Sequence, residues 1–282
     1  MSDREWLQDK ALRIREHVLA MAAGPEGAHV GGSLSIADVL AVLFFKVLRL
    51  KPEEPGWPDR DHFILSKGHA SAALYAALAE RGFLPVEELQ TYNRPGSRLG
   101  GHPLKKVPGV EFPTGSLGHG LALGVGLALA AKRDGRPNRV FVAMGDGELQ
   151  EGSVWEAAMA AGHFGLDNLC AIVDRNGLQI NGETEQWMRL EPLCDRFASF
   201  GFAVTEVDGH DVDALAGAFA RLPLRRAAPA ALIARTVKGR GVRFMEGRKK
   251  SHYATLTPEL HRRALVELQA ARGGKSCAQE SQ

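Results

Sequence analysis

Apolar side chains at Leu7, Ala11, Ile14, Val18 and Met21 recur in steps of three and four, with charges between them. That period puts them on one face of an amphipathic helix. Ala23-Gly24-Pro25 ends it, since neither Gly nor Pro carries a helix onward. A glycine-rich turn is predicted over Ala28-His29-Val30-Gly31-Gly32-Ser33. Ser35 then stands where an N-cap would open an apolar helix Ile36–Val47, with Asp38 at its third position as a weak capping-box variant. Lys51–Asp61, rich in Pro and charge, reads as surface loop.

Short apolar runs bounded by turn residues predict strands at His62–Leu65, Arg139–Met144, Leu169–Val173, Ala203–Val207 and Ala230–Ala234. Helical periods fall between them, at Ala70–Arg81, Leu121–Arg133, Ser153–Phe164 and Asp211–Arg221. Strands alternating with helices imply βαβ units. The predicted fold class is therefore α/β, a doubly wound, mostly parallel sheet with helices on both faces. Nothing divides residues 1–270, so one domain is expected. Residues 271–282 lose the apolar period and are expected to be a disordered tail. Asn93–Glu111 is a long loop, and such loops inside compact domains tend to be functional. Gly120 and Gly124, one turn apart, would let another backbone approach their helix closely.

Composition narrows the classes of function. Among 282 residues, 35 Lys and Arg against 33 Asp and Glu leave a formal charge of +2. That balance excludes a broad basic footprint for nucleic acid or anionic lipid. Trp6, Trp57, Trp155 and Trp187 have no spacing that would make a base-stacking platform. Cys170, Cys194 and Cys277 are too few and too scattered for a disulfide framework or a thiolate metal cage, which fits a reducing compartment. No apolar run approaches the roughly 20 residues that cross a bilayer. Met1–Met21 carries both charge signs and no signal-peptide core. A cytoplasmic protein without nucleic-acid or membrane partners is expected.

Ligands of open α/β sheets bind beyond the carboxyl ends of the strands. Asp146 follows the Arg139–Met144 strand and Asn176 follows the Leu169–Val173 strand. Neighbouring parallel strands would bring both oxygen donors to one edge, where they suit a hard cation such as Mg²⁺. Two protein oxygens leave most of an octahedron to phosphate and water. Gly147 offers a backbone N–H at a turn into a helix, whose N-terminus favours anions. The pattern describes a site for a metal-bound diphosphate. No Gly-x-Gly-x-x-Gly sits at a strand-to-helix turn with an acid at the next strand end, and no Walker lysine motif occurs, which speaks against a nucleotide-dependent dehydrogenase.

Gly-Asp-Gly followed by Asn about thirty residues later resembles the thiamine-diphosphate motif. Ala28–Ser33, Ser66-Lys67-Gly68-His69-Ala70, Gly101-His102-Pro103, Thr114-Gly115-Ser116-Leu117-Gly118 and Gly145–Gly152 look like successive motifs of transketolases, in order over residues 5–255. The similarity is closest to N-terminal subunits of split transketolases. It implies thiamine diphosphate with Mg²⁺ (or Ca²⁺ or Mn²⁺), held by Asp146, the Asn176 side chain and the Leu178 carbonyl. Gly147 would meet the diphosphate; Gly115 and Leu117 would meet the aminopyrimidine and thiazolium. Glu151 and Glu156, grouped with the cofactor set, match carboxylates at the family's subunit interface. His29, His69 and His102 match histidines of the reaction site and substrate channel. His252 matches the last such histidine, although Ser251-His252-Tyr253-Ala254 departs from the family's flanking residues.

Imidazoles fit this chemistry because they exchange protons near neutrality. Other readings stay open for some residues. Glu151 and Glu156 also suit a helix start, and Lys105-Lys106 and Arg248-Lys249-Lys250 suit a solvated face. His119 and His210 adjoin motifs without an assigned role. The family's pyrimidine domain lies beyond this chain. The resemblance therefore implies a separate C-terminal subunit, together with a second copy of this chain (α2β2) and sugar phosphate substrates. The alternatives are a related ketol-transfer or condensation enzyme acting on an unusual sugar phosphate, or a non-catalytic regulatory subunit.

Overall fold

The computed structural model describes residues 1–273. Helix α1 (Asp3–Ala22) opens with a capping box: Glu5 N–H donates to Ser2 Oγ, and Ser2 N–H to the Glu5 carboxylate. The predicted stripe, Leu7, Ala11, Ile14, Val18 and Met21, is buried. Five strands follow: β1 (His62–Leu65), β2 (Val140–Gly145), β3 (Leu169–Arg175), β4 (Ala203–Asp208) and β5 (Ala230–Arg235). They form one parallel sheet in the order β1-β2-β3-β5-β4.

The α/β prediction holds. Phe63, Phe141, Ile172 and Leu232 enter one core, under α1, α3 (Ala37–Val42), α4 (Ser71–Arg81) and α9 (Val212–Ala220). Ile64, Val142, Val173 and Ile233 enter the other, under α5 (Gly120–Arg133), α6 (Gly152–His163) and α8 (Leu193–Ser199). Burial on both faces explains why β2, β3 and β5 read as largely apolar runs, whereas the edge strand β4, with Thr205 and Glu206, is only half-buried. The Gly120–Gly124 face does pack closely, with Gly120 on Ser66 just past β1 and Gly124 on side chains of β2 and β3. A Cβ on Gly120 would collide with Ser66, and one on Gly124 would lie 2.5 Å from Val142 Cγ2.

Three predictions fail locally. The glycine-rich turn is instead a buried helix, α2 (Val30–Ser35). Glycine's poor helix propensity hid it, but a Cβ on Gly31 would lie 2.6 Å from Ser251 Oγ, so the glycines serve close packing. Ser35 does not cap a helix Ile36–Val47: it ends α2, and its hydroxyl reaches Asp174 at 2.6 Å. Asp38 binds Arg15 and His210 instead of a helix terminus, and the expected single helix breaks into α3 and a π-type turn over Leu43–Val47. The short α7 (Thr184–Trp187), α8 and α10 (Pro258–Gly273) had no prediction. α10 takes in the first residues of the expected tail; the rest of 271–282 lies outside the described residues.

Candidate functional site

Parallel register carries the chemistry to one edge of the sheet. Gly145 on β2 faces Asp174 on β3, so Asp146 and Asn176 leave neighbouring strand ends side by side. A cavity of about 330 Å³ opens there. Its walls contain an oxygen-donor group, Asp146, Gly147, Asn176 and Leu178, and a histidine group, His29, His69, His102 and His252, together with Gly115 and Leu117. Ten of the predicted residues thus converge from turns spread over the whole chain. Glu151 and Glu156 do not. Glu151 precedes α6 and Glu156 lies on it, both exposed and neither lining the cavity.

The four imidazoles form a packed cluster. The His29 ring centroid lies 5.7 Å from that of His69, 5.6 Å from His102 and 5.4 Å from His252; His69 and His252 are 5.3 Å apart. Tyr253 stands edge-on to His29 at 4.8 Å. Burial, reinforced by neighbouring cationic groups, depresses His29 and His252 to about 4 and His69 well below its ordinary value. Burial lowers His102 too. All four are neutral at pH 7, so each can donate from one ring nitrogen and accept at the other. Such a wall suits sugar hydroxyls and a carbonyl oxygen. His29 Nδ1 is buried without a hydrogen-bond partner.

The oxygen-donor group sits among ions. The Asp146 carboxylate accepts from Gly147 N at 2.8 Å, Gly177 N at 2.6 Å and Arg175 Nη1 at 3.1 Å. Burial and the nearby Asp174 nevertheless raise its pKa, so it is a carboxylate short of positive charge. Asn176 Oδ1 takes the Leu178 N–H at 3.1 Å. The Leu178 carbonyl already holds a cation, the Lys238 ammonium at 3.2 Å. These are oxygen donors for a hard cation. Among the described residues no three His, Cys, Asp or Glu side chains form a closed metal cage. A metal here would need oxygens from its ligand. Gln179 Oε1, also in the wall, is buried and unpartnered. A Cβ on Gly147 would close to 3.1 Å of Gln179, and one on Gly115 (φ 151°) to 3.0 Å of the His102 ring. The residues present therefore fit a metal-bound diphosphate with an attached ring system.

A family model described as the thiamine diphosphate binding domain of transketolase matches residues 9–265. The chain belongs to the transketolase family. It is 44% identical over 264 residues to the 6-deoxy-6-sulfo-D-fructose transketolase subunit SqwG of a Clostridium species, covering 93% of this chain and 96% of that one. An apulose-4-phosphate transketolase subunit from Phocaeicola vulgatus is 42% identical, with 94% of each chain covered. The transketolase structure from Campylobacter jejuni superposes with a TM-score of 0.90 at 34% identity, over 95% of this chain but 43% of that one. This transketolase-family chain thus matches nearly the full length of the two named subunits and less than half of that longer transketolase.

Sequence reasoning missed the groups that brace the transketolase-family site. Lys67 is buried, pairs with Asp174 and donates to the Gly32 carbonyl at 2.8 Å. Glu148 is buried too. Its carboxylate accepts from Ser66 Oγ, Gly118 N at 2.9 Å and Gly145 N at 3.1 Å, tying three turns together. Lys238, pushed down to about 8 by burial and by Lys67, also lies 3.2 Å from His252 Nδ1. A lysine three residues past the end of β5 was the available signal. Among the described residues no helix is long and apolar enough to cross a membrane.

Proposed function

We propose that this chain is the cofactor-holding subunit of a two-chain transketolase, which moves a two-carbon ketol unit from a ketose phosphate, or a comparably anionic ketose, to an aldose phosphate. One observation supports the reading: the oxygen donors of Asp146, Asn176 and Leu178 share one cavity with four histidines, in a chain coextensive with relatives named as transketolase subunits. Asp146, the Asn176 side chain and the Leu178 carbonyl would hold Mg²⁺ (Ca²⁺ or Mn²⁺ in its place), and Gly147 N–H would face the diphosphate. Gly115 would meet the ring system through its backbone and Leu117 through apolar packing. Thiamine diphosphate, when bound, supplies the electron sink for breaking and making the carbon–carbon bond. The protein's histidines orient the sugar by hydrogen bonds, and their neutral rings take protons from its hydroxyls and return them to the carbonyl oxygen.

The partner would carry the pyrimidine-binding domain, and two copies of each chain would make the active α2β2 assembly. Outward residues of α5 and α6 support a protein neighbour: Ala122, Gly126 and Ala130 are exposed, and Met159 is 61% exposed. Glu151 and Glu156 lie exposed beside that face, where the family's interface carboxylates would be. We place the enzyme in the cytoplasm. The names of the two relatives favour an unusual sugar as the natural substrate, and that is the second reading retained.

The test is reconstitution. The chain with its partner, thiamine diphosphate and Mg²⁺ should transfer a ketol unit from xylulose 5-phosphate to ribose 5-phosphate, or from a sulfonated or branched ketose. The isolated chain should bind the cofactor weakly and turn over nothing. Ketol transfer by the rigorously pure chain would refute the two-chain reading.

A further inference from the structure

We propose that His210 is a positioning residue, which holds the Val237-Lys238 segment and thereby presents the Lys238 ammonium to the oxygen-donor group of the cavity. The inference rests on the cofactor reading above. Val237 N–H donates to His210 Nε2 at 2.8 Å. A ring nitrogen that accepts carries no proton, so the proton of the neutral ring is on Nδ1. Nδ1 lies 2.7 Å from Asp38 Oδ2, the acceptor that this tautomer requires.

Asp38 is in turn fixed in the core. Arg15 Nη1 and Nη2 grip its two oxygens at 3.1 and 2.5 Å, and Arg15 Nε donates to the Leu34 carbonyl at 3.2 Å. The His210 backbone N–H is anchored as well, on Asp208 Oδ1 at 2.8 Å. A chain of directed bonds thus runs from α1 through Arg15, Asp38 and His210 to the amide next to Lys238. Lys238 then reaches the Leu178 carbonyl and His252. Lysine has four rotatable side-chain bonds and keeps a set position only if its backbone is held. Gly239, on its far side, is tied to the Gly31 carbonyl at 3.0 Å. On the near side Thr236 N–H donates to the Arg175 carbonyl at 3.1 Å, and the His210 bond is the tie at Val237, the residue next to Lys238.

Two isosteric variants separate positioning from plain structure. His210→Asn keeps a donor near Nδ1 for Asp38 and loses the acceptor for Val237. His210→Gln keeps an acceptor near Nε2 and loses the Asp38 contact. Mg²⁺-thiamine diphosphate affinity is titrated by tryptophan fluorescence in the complex with the partner subunit, while amide exchange over 236–239 and urea stability are measured on the full chain. His210→Asn should weaken binding by about tenfold or more, as loss of an outer-shell partner commonly does, and should speed exchange at Val237. His210→Gln should stay within about threefold of wild type, whichever variant is the less stable. A His210→Gln variant that loses as much affinity as His210→Asn, or an Asn variant that binds and exchanges like wild type, overturns the proposal. Failure of the wild-type complex to bind thiamine diphosphate would count against the cofactor reading, while the exchange comparison, which needs no ligand, would still decide for or against the His210 tie.

Discussion

The two ends of the sheet hold the same ingredients in opposite states. At the amino ends of β1 and β2, Asp61 is fully buried. It accepts from Arg49 N and Nη2 at 2.9 and 2.8 Å, and from Arg139 N and Nη2 at 3.1 and 2.5 Å. Burial alone would raise its carboxyl, but the Arg139 and Arg49 hydrogen bonds outweigh that and hold it below its ordinary value. At the carboxyl ends Asp146 is also buried, has one guanidinium contact, and is raised. A saturated carboxylate welds the fold. An undersupplied one lines the same cavity as unpartnered Gln179 Oε1 and His29 Nδ1, and it is there that we propose the cofactor is held.

The comparison can be broken by exchanging the consequences. Asp146→Ala should abolish Mg²⁺-thiamine diphosphate binding in calorimetric titration, yet change unfolding free energy by less than about 2 kcal/mol, because Arg175 keeps Glu185 and Glu191. Unchanged affinity would show the metal site misassigned. Asp61→Ala should do the reverse. It leaves the backbone N–H groups of Arg49 and Arg139 without their acceptor beside two partly exposed guanidiniums and should cost about 2–3 kcal/mol in urea denaturation, while the molecules still folded bind the cofactor normally.

A smaller effect sharpens the contrast. The Asp61 pKa is lower folded than unfolded, so its stabilisation is present above the unfolded carboxyl pKa, about 3.9. It disappears as pH falls through the folded value. The stability difference between wild type and Asp61→Asn should therefore be flat from neutrality to about pH 5 and shrink below pH 4. A difference that grew toward acid would contradict the pairing.

Much of this is legible in the residues alone, for a physical reason. β1 occupies the residues expected of it, and β2 to β5 fall within two residues of expectation at either end; for β2, β3 and β5 burial on both faces leaves little but apolar side chains between turns, while β4 is bounded by its flanking turns. Asp146 and Asn176 are legible because strand ends in a parallel sheet share an edge. What escapes is set by distant partners. Gly31 and Gly32 signal a turn until Ser251 and His69 are known to press on them. Ser35 and Asp38 have the spacing of caps, but Asp174 lies 139 residues from the one and His210 lies 172 from the other. Lys67 and Glu148 sit within the motifs, yet burial, not spacing, shows their tasks.

The glycine contacts also bear on how this chain can diversify. At Gly31, Gly68, Gly120 and Gly124 a single added methyl would fall inside the atoms of Ser251, Gly115, Ser66 and Val142. Those codons are nearly closed to inheritance of anything else. Ile180, Trp187 and Met188 are 66, 57 and 62% exposed, and burial does not restrain them. A lineage or a laboratory library seeking a new sugar would find the strand-end cradle frozen and the surrounding loops free, so that selectivity can drift while the cofactor's seat is passed on unchanged.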